Sequence, residues 1–308
     1  MSPAAEGQAR VGFVGLGNMG WPMARNLASA GFALTVGDAD PDLRERFVSE
    51  HGGEAAASPA DFAECDVVVT MLPNDKIVRD VVLEWEGGIA ENLPAGAVVL
   101  DMSSSGPTAT RALGEALAPL GVGLVDAPVS GGVPRAETGT LSLMVGGDDE
   151  AAIAKAMPVL EVLGEKIFRT GGLGSGHALK ALNNFLAAAS YAAATEALQV
   201  GEEFGLDPEV MFEVINTSTG RSFVSEIVIG ENVVTGAYAT GFALALLAKD
   251  VGIAADLAET QGADAPVLSL VAERWAAAAE SAPAGADHSE THRQWWPEAV
   301  AAGEGGAA

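Results

Sequence analysis

The fold of the first half of the chain is decided by one glycine-rich stretch, Gly15-Leu16-Gly17-Asn18-Met19-Gly20. An apolar run over residues 9–15 precedes it, and a helical pattern follows it up to Gly31. In such a strand–loop–helix unit, the first glycine permits the tight turn, the second lets backbone N–H groups approach a pyrophosphate, and the third lets the helix pack on the strand. The context predicts a dinucleotide-binding loop rather than a glycine-rich turn without a ligand.

An acidic residue, Asp38, follows the second apolar run, residues 33–37. A carboxylate at this position accepts hydrogen bonds from the ribose hydroxyls of a dinucleotide and repels a 2′-phosphate. No arginine lies between Gly37 and Asp42 to neutralise such a phosphate. The sequence therefore predicts NAD rather than NADP as the cofactor, and we interpret Asp40 as the N-cap of the next helix.

Short β-branched runs alternate with helical patterns from Ala9 to about Arg169, which is typical of βαβ units. The expected strands cover residues 9–15, 33–37, 66–72, 97–101, 123–126, 141–145 and 166–169. The predicted fold class is α/β, with an N-terminal Rossmann domain that contains a doubly wound, mostly parallel sheet.

After Gly171 the strand signals stop, and an all-α C-terminal domain is expected. Its helical stretches cover residues 176–205, 208–217, 242–261, 266–281 and about 289–301. The predicted domains are an NAD-binding domain at 1–171 and a substrate and dimerisation domain at 172–308, which begins with a long interdomain helix. Because that helix is rich in alanine and allows close packing, we also expect a homo-oligomer, a dimer or a tetramer. Gly303–Ala308 are expected to be disordered.

Composition excludes several classes of partner. The formal net charge of −26 repels phosphate backbones and anionic membrane surfaces, so neither a nucleic acid nor a membrane is an expected partner. The N-terminus lacks an apolar signal segment, and Glu196 interrupts the longest apolar helix, which predicts a cytoplasmic protein. The single cysteine, Cys65, precedes an apolar run and is expected to be buried and inert. The histidines show no metal-ligand spacing, so no metal is expected; we interpret His288 and His292 as exposed helix surface.

A second motif, residues 174–184, opens the long helix of the C-terminal half. The chain has five lysines, and Lys180 is one of them, placed within an apolar stretch. Asn184 follows four residues later, so both side chains share one helix face. This pairing suits proton transfer, and the alternative is a lysine that snorkels to the surface.

Four motifs in this order resemble those of the β-hydroxyacid dehydrogenases, the group that includes 3-hydroxyisobutyrate dehydrogenase. They are residues 12–20, residues 126–132, residues 174–184 and the pair Lys249-Asp250. The resemblance covers about residues 10–270. It implies an NAD-dependent oxidoreductase that interconverts a small 3-hydroxy acid and its semialdehyde, with Lys180 as general acid/base and Asn184 beside it.

The substrate carboxylate has an expected anchor in Ser130, Gly131 and Gly132, which follow an apolar strand at the carboxyl edge of the sheet. An ordinary turn is the alternative. The resemblance also implies that Phe223 is the aromatic residue at the substrate pocket.

Further contacts with the cofactor are implied by the resemblance for Leu72, Pro73, Ser104 and Lys249. Ser104 stands where threonine is commoner in the family, and it also lies in a serine run that suits helix capping. For Lys249, a structural ion pair with Asp250 is the alternative.

Three alternatives remain at this point. They are a semialdehyde reductase or an imine reductase of the same superfamily, or a non-catalytic dinucleotide-binding module. The last two usually lack the lysine that this chain has at position 180. The sequence does not rank 3-hydroxyisobutyrate, glycerate, threonate, serine and 4-hydroxybutyrate-like acids as substrates.

Overall fold

The structure is a computed structural model, and it describes residues 9–297. The chain forms two compact units that divide after Lys180. The domain boundary expected after Gly171 stays a prediction. The predicted disorder of Gly303–Ala308 lies outside the described residues.

The first unit contains one sheet, which has nine strands in the described part of the chain. These are β1 (Arg10–Val14), β2 (Ala33–Gly37), β3 (Glu54–Ala55), β4 (Val67–Thr70), β5 (Val98–Asp101), β6 (Gly123–Asp126), β7 (Val129–Ser130), β8 (Leu141–Gly146) and β9 (Gly164–Gly171). The order is β3-β2-β1-β4-β5-β6-β8-β7, and β9 pairs with β8. The strands from β3 to β6 are parallel, whereas β8 is antiparallel to β6 and β7. This confirms the predicted doubly wound, mostly parallel sheet.

Helices cover both faces of the sheet, which is why the central strands are apolar throughout rather than alternating. The α-helices of the first unit are α1 (Gly20–Ser29), α2 (Pro41–His51), α3 (Asp75–Arg79), α4 (Pro107–Leu117), α5 (Gly132–Thr138) and α6 (Glu150–Leu163), and a short π-helix (Asp80–Glu84) continues α3. Every residue of β4 is buried. Cys65 is buried two residues before that strand, and desolvation raises the pKa of its thiol to about 11, as expected for an inert cysteine.

Four parallel strands end side by side. The register pairs Val14 with Thr70, Thr70 with Asp101, and Asp101 with Asp126. The strand order reverses between β1 and β4, and open α/β sheets bind ligands at such a switch point, outside the carboxyl ends of the strands. The polar residues that follow these ends therefore define where the site is to be sought.

The second unit is helical, as predicted. A long helix, α7 (Ser175–Phe204), enters it, and the helices that follow are α8 (Pro208–Asn216), a π-helix (Val224–Val233), α9 (Leu244–Thr260), α10 (Pro266–Ser281), a 3₁₀ turn (His288–Glu290) and α11 (Thr291–Trp295). The π-helix was not expected, because its β-branched residues and Gly230 show no helical period. No helix among residues 9–297 is long and apolar enough to span a membrane.

Residues 288–295 pack into the core of the second unit. His288 and His292 are 8% and 6% exposed, so their interpretation as exposed helix surface is wrong. Tyr191 donates a hydrogen bond to the Ser289 carbonyl at 2.6 Å, and the Tyr191 ring lies 5.9 Å from that of Trp295. The spacing of the two histidines could not reveal that both face the core, because His288 lies in a 3₁₀ turn and His292 in the helix that follows it.

Candidate active site

The glycine loop between β1 and α1 has two glycines that the fold itself requires. Gly15 has φ of +102°, and a Cβ there would overlap the Met71 carbonyl oxygen. A Cβ on Gly20 would overlap the Gly15 carbonyl oxygen. At Gly17, in contrast, a Cβ would meet no atom within 4 Å. The middle glycine therefore leaves open space where a pyrophosphate would lie, so the loop fits a dinucleotide.

The first turn of α1 also suits an anion. Its N-cap, Met19, provides no side-chain hydrogen bond, and no acidic residue lies in the first turn. Backbone N–H groups and the helix dipole then favour negative charge at this end. Leu16 is buried and anchors the loop, whereas Asn18 is exposed.

Asp38 ties the glycine loop to the end of β2. Its Oδ2 accepts a hydrogen bond from the Leu16 N–H at 2.7 Å, and its Oδ1 accepts one from the Asp40 N–H at 2.9 Å. Each oxygen keeps a second lone pair for a ribose hydroxyl. Asp40 caps α2 by accepting from the Asp42 N–H, as interpreted from the sequence. Arg44 was missed because it follows Asp42; its guanidinium donates to the Asp38 carbonyl at 2.8 Å.

The loops after β4 and β5 are joined by buried polar groups. Asp101 Oδ1 accepts from the Thr70 hydroxyl and the Ser103 N–H, and Oδ2 accepts from the Ser105 hydroxyl. Ser103 Oγ in turn accepts from the Leu72 N–H at 2.9 Å.

Ser104 lies between two buried serines and is itself half-exposed. The N-cap of α4 is Gly106, so the serine run does not cap that helix. The neighbouring loop exposes Pro73 and leaves Leu72 half-buried. The predicted contacts of these three residues with the cofactor stay predictions.

Asp126 is a site residue whose role sequence reasoning missed. Its side chain is fully buried, and its two oxygens accept hydrogen bonds from the Gly174 N–H at 2.7 Å and the His177 N–H at 3.0 Å, at the start of α7. A Cβ on Gly176 would overlap the Met144 carbonyl oxygen and lie 2.8 Å from Asp126 Oδ2. Gly176, in the first turn of α7, is therefore required by its close contact with β8 and with Asp126.

His177 is the second residue that was missed. The ring is buried, with Nδ1 2.7 Å from the Thr110 hydroxyl and Nε2 3.1 Å from the Ser103 carbonyl. Carboxylate oxygens of Asp101 and Asp126 lie 3.7 and 3.9 Å from the ring nitrogens. The sequence did contain a signal for this site: β5 and β6 both end in aspartate. Because adjacent parallel strands end together, the two carboxylates were bound to lie near each other.

Two polar residues of the second unit, Asn184 and Lys249, contact Asp250, which is 2% exposed. Asn184 Nδ2 donates to Asp250 Oδ2 at 2.6 Å, and the Lys249 ammonium lies 3.1 Å from Asp250 Oδ1. Because a carboxylate only accepts, it fixes the orientation of the Asn184 amide. The ion pair is the structural alternative foreseen for Lys249, and a contact of Lys249 with the cofactor stays a prediction.

The remaining predicted residues are accessible. Ser130 is half-buried at the end of β7, and Gly131 and Gly132, which open α5, are exposed. Phe223 is 72% exposed, beside the start of the π-helix. Lys180 is half-buried in the first turns of α7. The roles of these residues toward a substrate stay predictions.

Comparison with known proteins assigns both halves of the chain. Residues 10–172 match the family described as the NAD binding domain of 6-phosphogluconate dehydrogenase. Residues 174–295 match the family described as NAD-binding of NADP-dependent 3-hydroxyisobutyrate dehydrogenase. The 2-(hydroxymethyl)glutarate dehydrogenase of Eubacterium barkeri is 38% identical over 269 residues, which cover 87% of this chain and 88% of that protein. The chain belongs to the β-hydroxyacid dehydrogenase family.

Two further relatives of this dehydrogenase are similar over most of their length. The NAD-dependent L-serine dehydrogenase of Pseudomonas aeruginosa is 37% identical over 268 residues, 85% of this chain and 89% of that protein. The solved structure of Mycobacterium tuberculosis 3-hydroxyisobutyrate dehydrogenase with L-serine has a TM-score of 0.84 and 33% identity, and covers 94% of this chain and 99% of that one. The family makes the chain an oxidoreductase with NAD as its cofactor, as the glycine loop and Asp38 together predicted.

Proposed function

We propose that this dehydrogenase interconverts a small 3-hydroxy acid and its semialdehyde, with Lys180 as the general acid/base. The observation that carries the proposal is the setting of Lys180. This scarce, half-buried lysine lies in a helix whose first turn is held by the buried Asp126, and the buried Asn184 follows it by one helical turn. Proton transfer needs an amine held at one place, and this helix supplies it.

The substrate class is supported by what the relatives' names have in common. 2-(Hydroxymethyl)glutarate, L-serine and 3-hydroxyisobutyrate each carry a primary alcohol on the carbon next to the one that bears the carboxylate. They differ in the substituent on the carbon between. We therefore propose a substrate of this form, anchored through its carboxylate by the Ser130 hydroxyl and the N–H groups of Gly131 and Gly132.

When bound, NAD supplies the acceptor for the hydride. The chain's own part is to bind, orient and move the proton. Lys180 takes the proton of the substrate hydroxyl during oxidation and returns it during reduction. Asn184 keeps one N–H and one lone pair beyond its bonds to Asp250 and Asn183, so it can hydrogen-bond the same oxygen.

The other predicted residues complete the proposed site. Asp38 accepts from the ribose hydroxyls and disfavours NADP, while Leu72, Pro73 and Ser104 line the cofactor from neighbouring loops. Lys249, held by Asp250, adds positive charge for the cofactor or the carboxylate, and the exposed Phe223 ring covers the substrate.

A substrate panel tests the reaction class. The purified protein is incubated with NAD and with acids that share the alcohol–carboxylate unit but vary the middle substituent, and NADH absorbance is followed. We expect turnover of the 3-hydroxy acids and none of 4-hydroxybutyrate, whose longer spacing misplaces the alcohol. Turnover of no hydroxy acid in the panel would contradict the proposal.

Lys180→Ala tests the residue. We expect kcat to fall by about 10²- to 10⁴-fold, the usual contribution of a general acid/base, while the Kd for NADH stays nearly unchanged. Lys76→Ala is the control, because it removes a lysine from the exposed face of α3. Preserved turnover in Lys180→Ala would remove Lys180 from its role.

We also expect a homo-oligomer, and we expect it in the cytoplasm. The homo-oligomer is supported by large apolar side chains exposed along α7, among them Leu186, Val200 and Phe204. Light scattering on the purified protein measures the oligomeric mass.

A further inference from the structure

We propose that Asp126 is a positioning residue for Lys180: its carboxylate, together with the His177 ring, fixes the axial position of the first turns of α7. The proposal rests on the proposed role of Lys180. It assigns to the aspartate of the Asp-Ala-Pro-Val-Ser-Gly-Gly motif a task separate from the substrate anchor formed by the Ser130–Gly132 end of the same motif.

The cap of α7 comes from a strand distant in sequence. Helix N-termini leave N–H groups without helical partners, and a side chain at the N-cap usually accepts from one of them. The residue before α7 is Gly174, which has no side chain, and Asp126 accepts from the Gly174 and His177 N–H groups instead. A charged acceptor at this end also interacts favourably with the helix dipole. The helix is thus fixed to the end of β6.

Close packing also holds the start of the helix against the sheet. A Cβ on Gly176 would overlap the Met144 carbonyl oxygen, and a Cβ on Gly146 would lie 2.5 Å from Asp126 Oδ1. The carboxylate therefore lies between two glycines with no space for a larger group. Its position is set by β6 and β8, which are parts of one sheet.

His177 provides the second attachment. Its ring lies between the Thr110 hydroxyl of α4 and the Ser103 carbonyl of the loop after β5, at 2.7 and 3.1 Å. Lys180 follows His177 by three residues, which is about 4.5 Å of helix at 1.5 Å per residue. A shift of the first turn therefore moves the backbone of Lys180, and with it the attachment point of its side chain, by nearly the same distance.

The test is a double-mutant cycle. Asp126→Asn keeps the shape of the side chain but replaces one acceptor with a donor that faces an N–H group. We expect kcat to fall roughly ten- to a hundredfold, as small misplacements of catalytic groups do, with the Kd for NADH unchanged. In a Lys180→Ala background the same substitution should lower the residual kcat by less than about twofold, because a residue that acts through Lys180 has nothing left to position.

Asp149→Asn is the matched control for loss of a helix cap. Asp149 accepts from the Ala151 N–H at the start of α6, and its removal should have the same small effect in both backgrounds. If Asp126→Asn lowers kcat by the same factor with and without Lys180, the positioning role is wrong and the proposed function stands. If Lys180→Ala itself leaves kcat unchanged, the proposed function fails first.

A milder pair of variants applies if Asp126→Asn does not fold. Thr110→Val is isosteric and removes the hydroxyl that contacts His177, whereas Thr110→Ser keeps it. We expect Thr110→Val to lower kcat about three- to tenfold without changing the Kd for NADH, and Thr110→Ser to restore it. Equal kcat values for the two variants, or a loss that persists in the Lys180→Ala background, would overturn the inference.

Discussion

The carboxylate of Asp38 stabilises the conformation of the glycine loop and, in our proposal, also determines which cofactor binds. Its bond to the Leu16 N–H holds the loop that would receive the pyrophosphate. In our proposal, the lone pairs that remain accept hydrogen bonds from the ribose hydroxyls of the cofactor. Cofactor preference and cofactor affinity should therefore change together when this side chain is altered.

Asp38→Ala is expected to lower the affinity for NAD roughly tenfold or more, because a hydrogen bond to a charged acceptor is lost, and to reduce the preference for NAD over NADP. Steady-state kinetics with both cofactors measure the two effects. Asp40→Ala is the control: it should cost about 1 kcal/mol of stability as a lost helix cap and leave the preference unchanged. An unaltered NAD/NADP ratio in Asp38→Ala would count against the assignment.

Among the elements, the C-terminal segment from His288 to Trp296 has a role that only packing reveals. Burial lowers the pKa of His288, although Asp287 opposes this, and burial followed by the charge of Arg293 lowers the pKa of His292. In the folded protein both rings therefore gain a proton only at a lower pH than in the unfolded chain, so the unfolded chain takes up protons first as the pH falls. The contribution of the two neutral histidines to the free energy of unfolding is therefore fully present above pH 6.5, the ordinary pKa of a histidine, and decreases as the pH falls below that value.

His292→Phe should flatten this dependence. Removing one such proton lowers the slope of unfolding free energy against pH by up to about 1.4 kcal/mol per pH unit below pH 6.5. Urea titrations at several pH values measure the slope. Trp296→Phe is the control, because it alters the ring that packs on His292 and removes no titratable group. The slope measured for this variant should match that of the unaltered protein. A slope that His292→Phe leaves unchanged would be the contrary result.

For the whole molecule, periodicity and capping predicted most of the architecture. The helix at Pro266–Ser281 was predicted at its observed bounds, because proline and an apolar period mark it. The π-helix at Val224–Val233 was not, since π-helical spacing follows neither of the common periods. Two-residue strands such as Glu54–Ala55 leave too short a pattern to detect.

The site was predictable where local motifs define it and obscure where partners are distant in sequence. The glycine loop follows from consecutive residues. The bonds of Asp126 to Gly174 and His177 join the end of β6 to the start of α7, positions about fifty residues apart that no local motif contains together. Likewise, the partner of Asn184 is Asp250, on another helix.

The central claim is that the amine of Lys180 moves the proton of the substrate hydroxyl. Rescue of Lys180→Ala by a small external amine such as methylamine tests this most directly. We predict that kcat of Lys180→Ala rises with amine concentration, whereas Lys180→Met, whose side chain fills the space without a base, does not respond. Equal behaviour of the two variants, or undiminished turnover in either without added amine, would contradict the account.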